Sequence, residues 1–215
     1  ELVDAIQSSF MDALLKYWEV NQFWPENIVV FRDGVGDGQM EVTQSHEVEQ
    51  FIATFSKIRM IKTTDSAIRA KVDRLGSILP ANYDPGFNFI VVQKRINTRI
   101  FALNQQKFEN PSPGTVLDHT VTRYAFKDFF LVPQSVNQGT VTPTHYVILR
   151  ESGASVLNPD QVQRLSYCLT HMYYNWPGTV RVPAPCQYAH KLVDLVGENL
   201  HKMPSPELND KLYFL

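Results

Sequence analysis

The chain has 215 residues, of which 44% are hydrophobic, 12% aromatic and 20% charged, and this composition is that of a globular protein rather than a disordered or collagen-like chain. The longest apolar run is far shorter than the roughly 20 residues that span a bilayer, and the two cysteines, Cys168 and Cys186, are too few for a disulfide scaffold or a four-ligand zinc site. The formal net charge of −2 argues against a nucleic-acid-binding protein, because such proteins usually carry a basic excess.

Helix-like and strand-like patterns alternate along the chain. Apolar residues recur at three- and four-residue spacing where we predict helices, and continuous apolar runs indicate strands buried on both faces. The predicted helices are residues 2–20, 44–58, 59–79, 159–174 and 187–201, and the predicted strands are 28–31, 89–92, 129–132 and 145–149. This alternation indicates an α/β domain with a central sheet. Because the first helix has no lead-in, we expect the chain to be a piece of a longer protein.

A glycine-rich loop follows the first predicted strand. Its glycines, Gly34, Gly36 and Gly38, are spaced two apart, which matches neither the dinucleotide-binding pattern nor a P-loop. Asp33 opens the loop at the carboxyl end of a strand, where the functional groups of open α/β sheets gather. Asp-Gly is also a common turn pair, so the residues alone leave both interpretations of Asp33 open.

His190 follows a proline-containing segment that opens the last predicted helix. The first turn of a helix disfavours a cation, so this position favours the neutral imidazole that binds metal ions. A packed core histidine is the alternative. The sequence contains neither paired histidines or cysteines at zinc-binding spacing nor a Gly-x-Ser-x-Gly motif of serine hydrolases.

Two segments are locally basic. Lys94, Arg95 and Arg99 lie within six residues just after a predicted buried strand, where they could bind phosphates or form a solvated loop. Residues 57–74 carry six cations against two aspartates, and we interpret this stretch as a solvated helix face rather than as an RNA-binding surface.

Several longer motifs are similar to those of one protein family. They are the segments 29–39, 97–99, 110–115, 139–146, 173–178, 181–192 and 213–215. Together they resemble the PIWI domain of Argonaute-family proteins over residues 1–215. The Tyr-Asn-Trp sequence at 174–176 and the Cys-Gln-Tyr-Ala-His-Lys sequence at 186–191 resemble the Piwi clade rather than the Ago clade.

This resemblance implies an RNase H-like α/β fold, with a central mixed sheet flanked by helices. The chain would be the C-terminal portion of the PIWI domain and would lack the first strands of that sheet. Residues 59–85 extend beyond the usual Piwi pattern, which indicates a lineage-specific insertion.

The resemblance also implies a set of site residues. Cleaving family members hold two divalent metals, Mg²⁺ or Mn²⁺, with an Asp-Glu-Asp-His set, onto which Glu1, Asp33 and His190 map. The remaining aspartate would lie outside this chain. The carboxylate of Leu215 is a further candidate metal ligand near the guide 5′ phosphate. The candidate RNA-binding residues are Lys94, Arg95, Arg99, Thr142, His145 and Gln187.

The implied function is small-RNA (piRNA)-guided silencing by an endoribonuclease that cleaves target RNA, including transposon RNA in the germline. The alternative is a guide-RNA-binding scaffold that recruits partner proteins without cleavage. The partners expected are the guide RNA, its target, the MID, PAZ and N domains of the same chain, and silencing or germ-granule proteins, with no membrane. We expect a cytoplasmic location in perinuclear germ granules, or a nuclear one, and no activity from this piece alone.

Overall fold

The computed structural model describes residues 2–57, 66–80, 82–209 and 211–215. Its first part is helical apart from one strand. Helix α1 is Leu2–Asn21 and strand β1 is Asn27–Asp33. Continuous helical backbone then comprises a 3₁₀ turn at Asp37–Gln39, α2 at Met40–Val42, a π-helical segment at Thr43–Val48 and α3 at Glu49–Lys57. Helix α4 is Ser66–Ile78.

The second part contains most of the strands. They are β2 at Gly86–Gln93, β3 at Ala102–Asn104, β4 at Lys107–Glu109, β5 at Val116–Leu117, β6 at Lys127–Leu131 and β7 at Thr144–Ser152. Helix α5 is Pro159–Thr170 and α6 is Ala184–Asp194, and α6 continues into a π-helical segment at Leu195–Leu200 before a short 3₁₀ turn at Pro206–Leu208.

The main sheet has five strands in the order β1-β2-β7-β6-β5. β2 is buried along almost its whole length, as its continuous apolar sequence predicts. β5 pairs with β6 in antiparallel register, with Val116 opposite Leu131. A mixed sheet flanked by helices confirms the predicted α/β class.

Contacts divide the described chain into two compact units. The first takes in the described parts of residues 1–30 and 35–90 together with 148–157, and the second takes in 31–34, 91–147 and 158–215. In the first unit, one face of α1 packs against α3 and α4. The Phe10 ring makes edge contacts with Phe51 and with Phe55, each at 5.0 Å between centroids, beside the fully buried Met11 and Leu75.

Several helices differ in extent from their predictions. Helical backbone begins at Asp37, ahead of the predicted start at residue 44. Of the predicted helix 59–79, residues 59–65 lie outside the described part, and Ser66–Ile78 is helical. Helix α5 starts as predicted, because the Asn158 side chain accepts the Gln161 N–H at 2.9 Å and caps its first turn. The assignment of 59–85 to an insertion stays a prediction.

The β3–β4 hairpin was absent from the sequence prediction. Ala102 pairs with Glu109 and Asn104 with Lys107, but its strands are wholly exposed, so they lack the apolar alternation that marks a half-buried strand. Gln105 and Gln106 form the turn with φ of 43° and 67°. Glycine and asparagine usually adopt such angles, so this turn carries no sequence signal.

None of the helices in the described ranges combines the length and the apolar composition needed to cross a membrane.

The close approach of Gly153 to Pro85 generates a stability prediction. Gly153 has φ of +86°, and a Cβ there would collide with the Pro85 carbonyl. We expect Gly153→Ala to lower the free energy of unfolding by about 3 kcal/mol, through left-handed strain and overpacking. Gly139 has φ of +80° with open space around it, so Gly139→Ala is the matched control, with an expected loss of about 1 kcal/mol. Equal losses in denaturant unfolding would contradict the role of the Pro85 contact.

Candidate functional site

Three titratable side chains converge at the carboxyl end of β1, in the second unit. Asp33 Oδ2 accepts a hydrogen bond from Lys94 Nζ at 2.9 Å and lies 2.6 Å from His190 Nε2. Lys94 Nζ is 2.8 Å from the same His190 nitrogen. The Asp33 side chain is only 9% exposed, against 30% for Lys94 and 41% for His190. We call these three residues the Asp33 cluster.

The local fold explains why these three residues meet. Asp33 ends β1, Lys94 follows the last residue of β2, and His190 lies on α6. The buried Cys186 of α6 is anchored to β1 through its thiol, which lies 4.0 Å from the Phe31 carbonyl. Arg181 donates to the Lys94 carbonyl and holds the main chain that carries this lysine. Segments far apart in sequence are thus tied together by backbone contacts.

The start of α6 corrects one prediction. Helix α6 begins at Ala184, three residues before the predicted start, with Pro183 as its N-cap. His190 therefore lies in the second turn rather than in the first. The field of the helix N-terminus falls off within the first turn, so the dipole argument for a neutral His190 loses its force, and the charges of Asp33 and Lys94 dominate its surroundings.

Opposing effects act on the Asp33 carboxyl. Burial alone would raise its pKa, but the hydrogen bonds from His190 and Lys94 and their positive charge outweigh burial, so that the pKa of Asp33 is lowered. The carboxylate is therefore ionised at neutral pH, as a metal ligand or a partner of a cation must be.

The interior behind Asp33 is closely packed, with Tyr146 and Cys186 both buried. Burial raises the pKa of the Tyr146 phenol above its usual range, and the negative charge of Asp33 adds to this effect. Burial likewise raises the pKa of the Cys186 thiol to about 12, with a further contribution from Asp33. A charge in such surroundings is poorly screened by water, which strengthens every interaction of the Asp33 carboxylate.

A cavity of about 610 Å³ lies beside the cluster in the same unit. Its described lining includes three cations, Lys94, Arg181 and Lys191, and no carboxylate. Two aromatic side chains, Tyr173 and Trp176, also line it. Although Lys94 is also paired with Asp33, a group of cations of this kind can bind an anion, and aromatic rings can stack on nucleobases.

Arg181 is the residue of this cavity that sequence reasoning missed. Burial lowers the pKa of its guanidinium, and the positive charge of Arg99 lowers it further. Two neighbouring guanidinium groups repel each other, so an anion between or beside them would be favoured. The sequence offered one sign of its importance, which is that Arg181 lies in the segment 181–192 that resembles the PIWI domain. Only the structure shows that Arg181 and Lys191 share a cavity with Lys94.

The candidate RNA-binding residues fall into different places. Lys94 and Gln187 line the cavity, whereas Arg95 and Arg99 are exposed on the segment that follows β2. Arg99 donates to the carbonyls of Ile96 and Thr98, which folds its side chain over its own loop. The RNA contacts of all four remain predictions.

Of the two other candidates, Thr142 precedes β7 and His145 lies within it. Thr142 is half-buried, next to Val141, whose N–H donates to Asn110 at 3.0 Å. His145 is 3% exposed, and both of its ring nitrogens are in hydrogen-bond contact with buried or half-buried groups. In this conformation the His145 ring faces protein rather than solvent, and its direct contact with RNA stays a prediction.

The predicted metal ligands are only partly described. Glu1 lies outside the described residues. Leu215 closes a turn in which its N–H donates to Leu212 at 3.2 Å, and the adjacent Phe214 packs edge-on against Tyr188. Within the described ranges, no group of three or more histidine, cysteine or acidic side chains is arranged to hold a metal ion. Asp33 and His190 thus form a two-donor set.

The nature of these two donors fits a divalent cation. A carboxylate oxygen and an imidazole nitrogen, both of types that bind divalent metal ions, lie 2.6 Å apart, and in this structure the ammonium of Lys94 contacts both. Mg²⁺ prefers hard oxygen ligands and about six of them. Asp33 and His190 can therefore supply part of such a coordination shell, and the remaining ligands must come from elsewhere.

Comparison with known proteins identifies relatives of the chain. A family model described as "Piwi domain" matches residues 1–201. The chain is 48% identical to "Piwi-like protein Ago3" of Bombyx mori over 215 residues, which is all of this chain and 21% of that protein. The chain thus spans about a fifth of the length of the curated relatives it matches.

Solved structures show the same fold. The crystal structure of Drosophila Piwi superposes with a TM-score of 0.75 and 37% identity, over 96% of this chain and 25% of that one. The crystal structure of Kluyveromyces polysporus Argonaute with a guide RNA has a TM-score of 0.68 over 96% of this chain and 26% of that one. At 23% identity, the second likeness concerns the fold alone.

The lowered pKa of Asp33 predicts a pH dependence of stability. A carboxyl whose pKa is lowered by folding contributes stability above its unfolded value of 3.8, and this contribution is lost as the pH falls through the lower folded value. We expect Asp33→Asn to be less stable than wild type at pH 6, with a difference that shrinks below pH 3.8. Chemical unfolding across this range measures it, and a difference independent of pH would contradict the ion pairing.

Proposed function

The chain belongs to the Piwi domain family, and we propose that the protein containing it binds a small guide RNA and silences RNAs complementary to that guide. The observation that carries this proposal is the cation-lined cavity directly beside the Asp33 cluster. Lys94 belongs to both, so a strand whose phosphates occupied the cavity would pass close to the one buried carboxylate of the cluster.

The cavity supports binding of a nucleic-acid backbone. Lys94, Arg181 and Lys191 provide positive charge, and Gln187 provides a neutral amide beside them. Contacts of this type hold phosphates without reading sequence, and base pairing between guide and target then supplies the selectivity. The net charge of −2 does not oppose this, because the charge that matters is local.

We propose further that the full-length protein cleaves the target as a metal-dependent endoribonuclease. Asp33 and His190 would be two of the ligands, joined by Glu1 and by an aspartate outside this chain. A bound Mg²⁺ or Mn²⁺ would supply activation of a water and neutralisation of charge on the phosphate oxygens. Asp33 contributes a negative charge at a nearly buried position, and His190 of α6 lies 2.6 Å from it.

A second candidate function is a guide-RNA-binding scaffold that recruits partners without cleavage. The contact that favours it is the ion pair between Lys94 and Asp33, because a lysine at 2.9 Å already neutralises the carboxylate that a metal would need. The two candidates share the guide-binding cavity and differ only in the chemistry at the Asp33 cluster.

Partners and location follow from the proposed function. The guide is a piRNA-like small RNA, the target is a complementary RNA such as a germline transposon transcript, and the MID, PAZ and N domains of the same protein complete the guide-binding path. Germ-granule or silencing proteins are the proposed protein partners. We place the protein in perinuclear granules of the cytoplasm, or in the nucleus.

Removal of the buried carboxylate separates cleavage from binding. We expect Asp33→Ala in the full-length, guide-loaded protein to lower the rate of target cleavage by about 10³-fold or more, because a metal ligand is lost, while guide binding is retained. Asp37→Ala changes the second Asp-Gly pair of the same loop, which is exposed, and should cleave like wild type.

Two outcomes would contradict the cleavage mechanism. Cleavage by Asp33→Ala at the wild-type rate would remove Asp33 from the chemistry, and cleavage in excess chelator would remove the metal. If wild type itself binds guide and target but makes no cut product with Mg²⁺ or Mn²⁺, the scaffold function is the correct one.

The cavity generates a prediction on salt dependence. Lys191 lines the cavity, so Lys191→Gln should weaken guide binding to a similar extent for all guide sequences. It should also lower the magnitude of the slope of log affinity against log salt by about 1, because one phosphate contact is lost. Lys107→Gln, on the exposed β3–β4 hairpin, is the control and should leave the slope unchanged. An equal slope for both variants would contradict the cavity as the phosphate site.

A further inference from the structure

A second pair of titratable side chains is buried more deeply than the Asp33 cluster. His145 of β7 and Asp128 of β6 are 2.7 Å apart between Nε2 and Oδ2, with side-chain exposures of only 3% and 0%. The other carboxylate oxygen of Asp128 accepts the backbone N–H of Arg123 at 3.0 Å. Both oxygens of this buried acid are therefore engaged.

The second nitrogen of His145 reaches towards the Asp33 cluster. Nδ1 lies 2.9 Å from Oε1 of Gln93. His145 therefore bridges the Asp128 carboxyl group and the Gln93 side-chain amide through its two ring nitrogens. Phe130 stacks on the ring at 4.3 Å and an interplanar angle of 12°, which fixes its plane.

Gln93 is the last residue of β2, and the next residue is Lys94. The Lys94 carbonyl is held by Arg181, and its ammonium contacts Asp33 and His190. The hydrogen bond from His145 therefore fixes the side chain immediately before the residue that joins the Asp33 cluster to the cavity. Asp128, His145 and the half-buried Gln93 form a continuous chain of contacts that ends one residue from Lys94.

We propose that Asp128 and His145 are positioning residues, which act through Gln93 to hold Lys94 beside Asp33. They touch neither the RNA cavity nor the Asp33 carboxylate themselves. The inference deepens the proposed function, on which it rests for its catalytic consequence, whereas its structural consequence is independent of that function.

The chemistry of buried pairs supports a geometric role over a stabilising one. Desolvation of two charges offsets most of their attraction, so a buried ion pair contributes little net stability compared with apolar side chains of similar volume. Its directional hydrogen bonds do restrict where the partner can lie. The partner here is Gln93, which leads directly to the site.

Hydrogen exchange of the full-length, guide-loaded protein tests the structural consequence. Gln93→Met removes the amide that contacts His145 and keeps the Asp128–His145 pair, and the double variant Asp128→Leu, His145→Phe replaces the pair by apolar groups. In both we expect the backbone amides of residues 94–99 to exchange about fivefold faster, from the loss of one buried hydrogen bond. Gln163→Met is the control, because it removes an exposed hydrogen bond to Asp118. Unchanged exchange at 94–99 in both variants would overturn the proposal.

A double-mutant cycle tests the catalytic consequence. If Gln93 acts only through Lys94, Gln93→Met should slow single-turnover cleavage in the wild-type background and have no further effect in Lys94→Met. A merely structural role would give effects that multiply, and this outcome would overturn the positioning role. Absence of cleavage in wild type would contradict the proposed cleavage alone, and the exchange experiment would still decide this inference.

Discussion

The structure around the site depends on one constraint, which is that a nearly buried carboxylate must be paired. Asp33 is 9% exposed, and its cost of desolvation is offset only because Lys94 and His190 contact the same oxygen. To bring them there, β1, the end of β2 and α6 must be held in fixed relation, and the contacts of Cys186 with β1 and of Arg181 with Lys94 do so. The backbone anchors and the charge cluster thus support each other.

Some of this could be predicted from the sequence and some could not. The sequence predicts Asp33 at the carboxyl end of an apolar strand, where functional groups gather. This prediction needs only the local pattern of residues. Its pairing with Lys94 links positions 61 residues apart, and no local pattern encodes such a contact. His190 was placed in the wrong helical turn, because prolines at 183 and 185 fit a helix start at either position.

Burial explains why the sequence misrepresents both His145, which is buried, and the β3–β4 hairpin, which is exposed. A histidine in a threonine- and proline-rich segment has the sequence character of a surface residue, yet His145 is 3% exposed, and Asp128 on the neighbouring strand β6 contacts its ring. The hairpin carries exposed apolar residues, Leu103 and Phe108 among them, and so lacks an amphipathic signal. In both cases the deciding fact is which partner the fold supplies.

Lys94 belongs both to the Asp33 cluster and to the cavity beside it. An ammonium has three N–H donors; that of Lys94 donates one to Asp33, lies 2.8 Å from His190 Nε2, and belongs to a residue that also lines the cavity. Phosphate bound in the cavity and negative charge at Asp33 therefore draw on the same cation. A change in the charge of the Asp33 carboxyl group therefore alters the electrostatic potential that Lys94 presents to the cavity. Binding of a nucleic-acid backbone and the charge of Asp33 are electrostatically coupled for this reason.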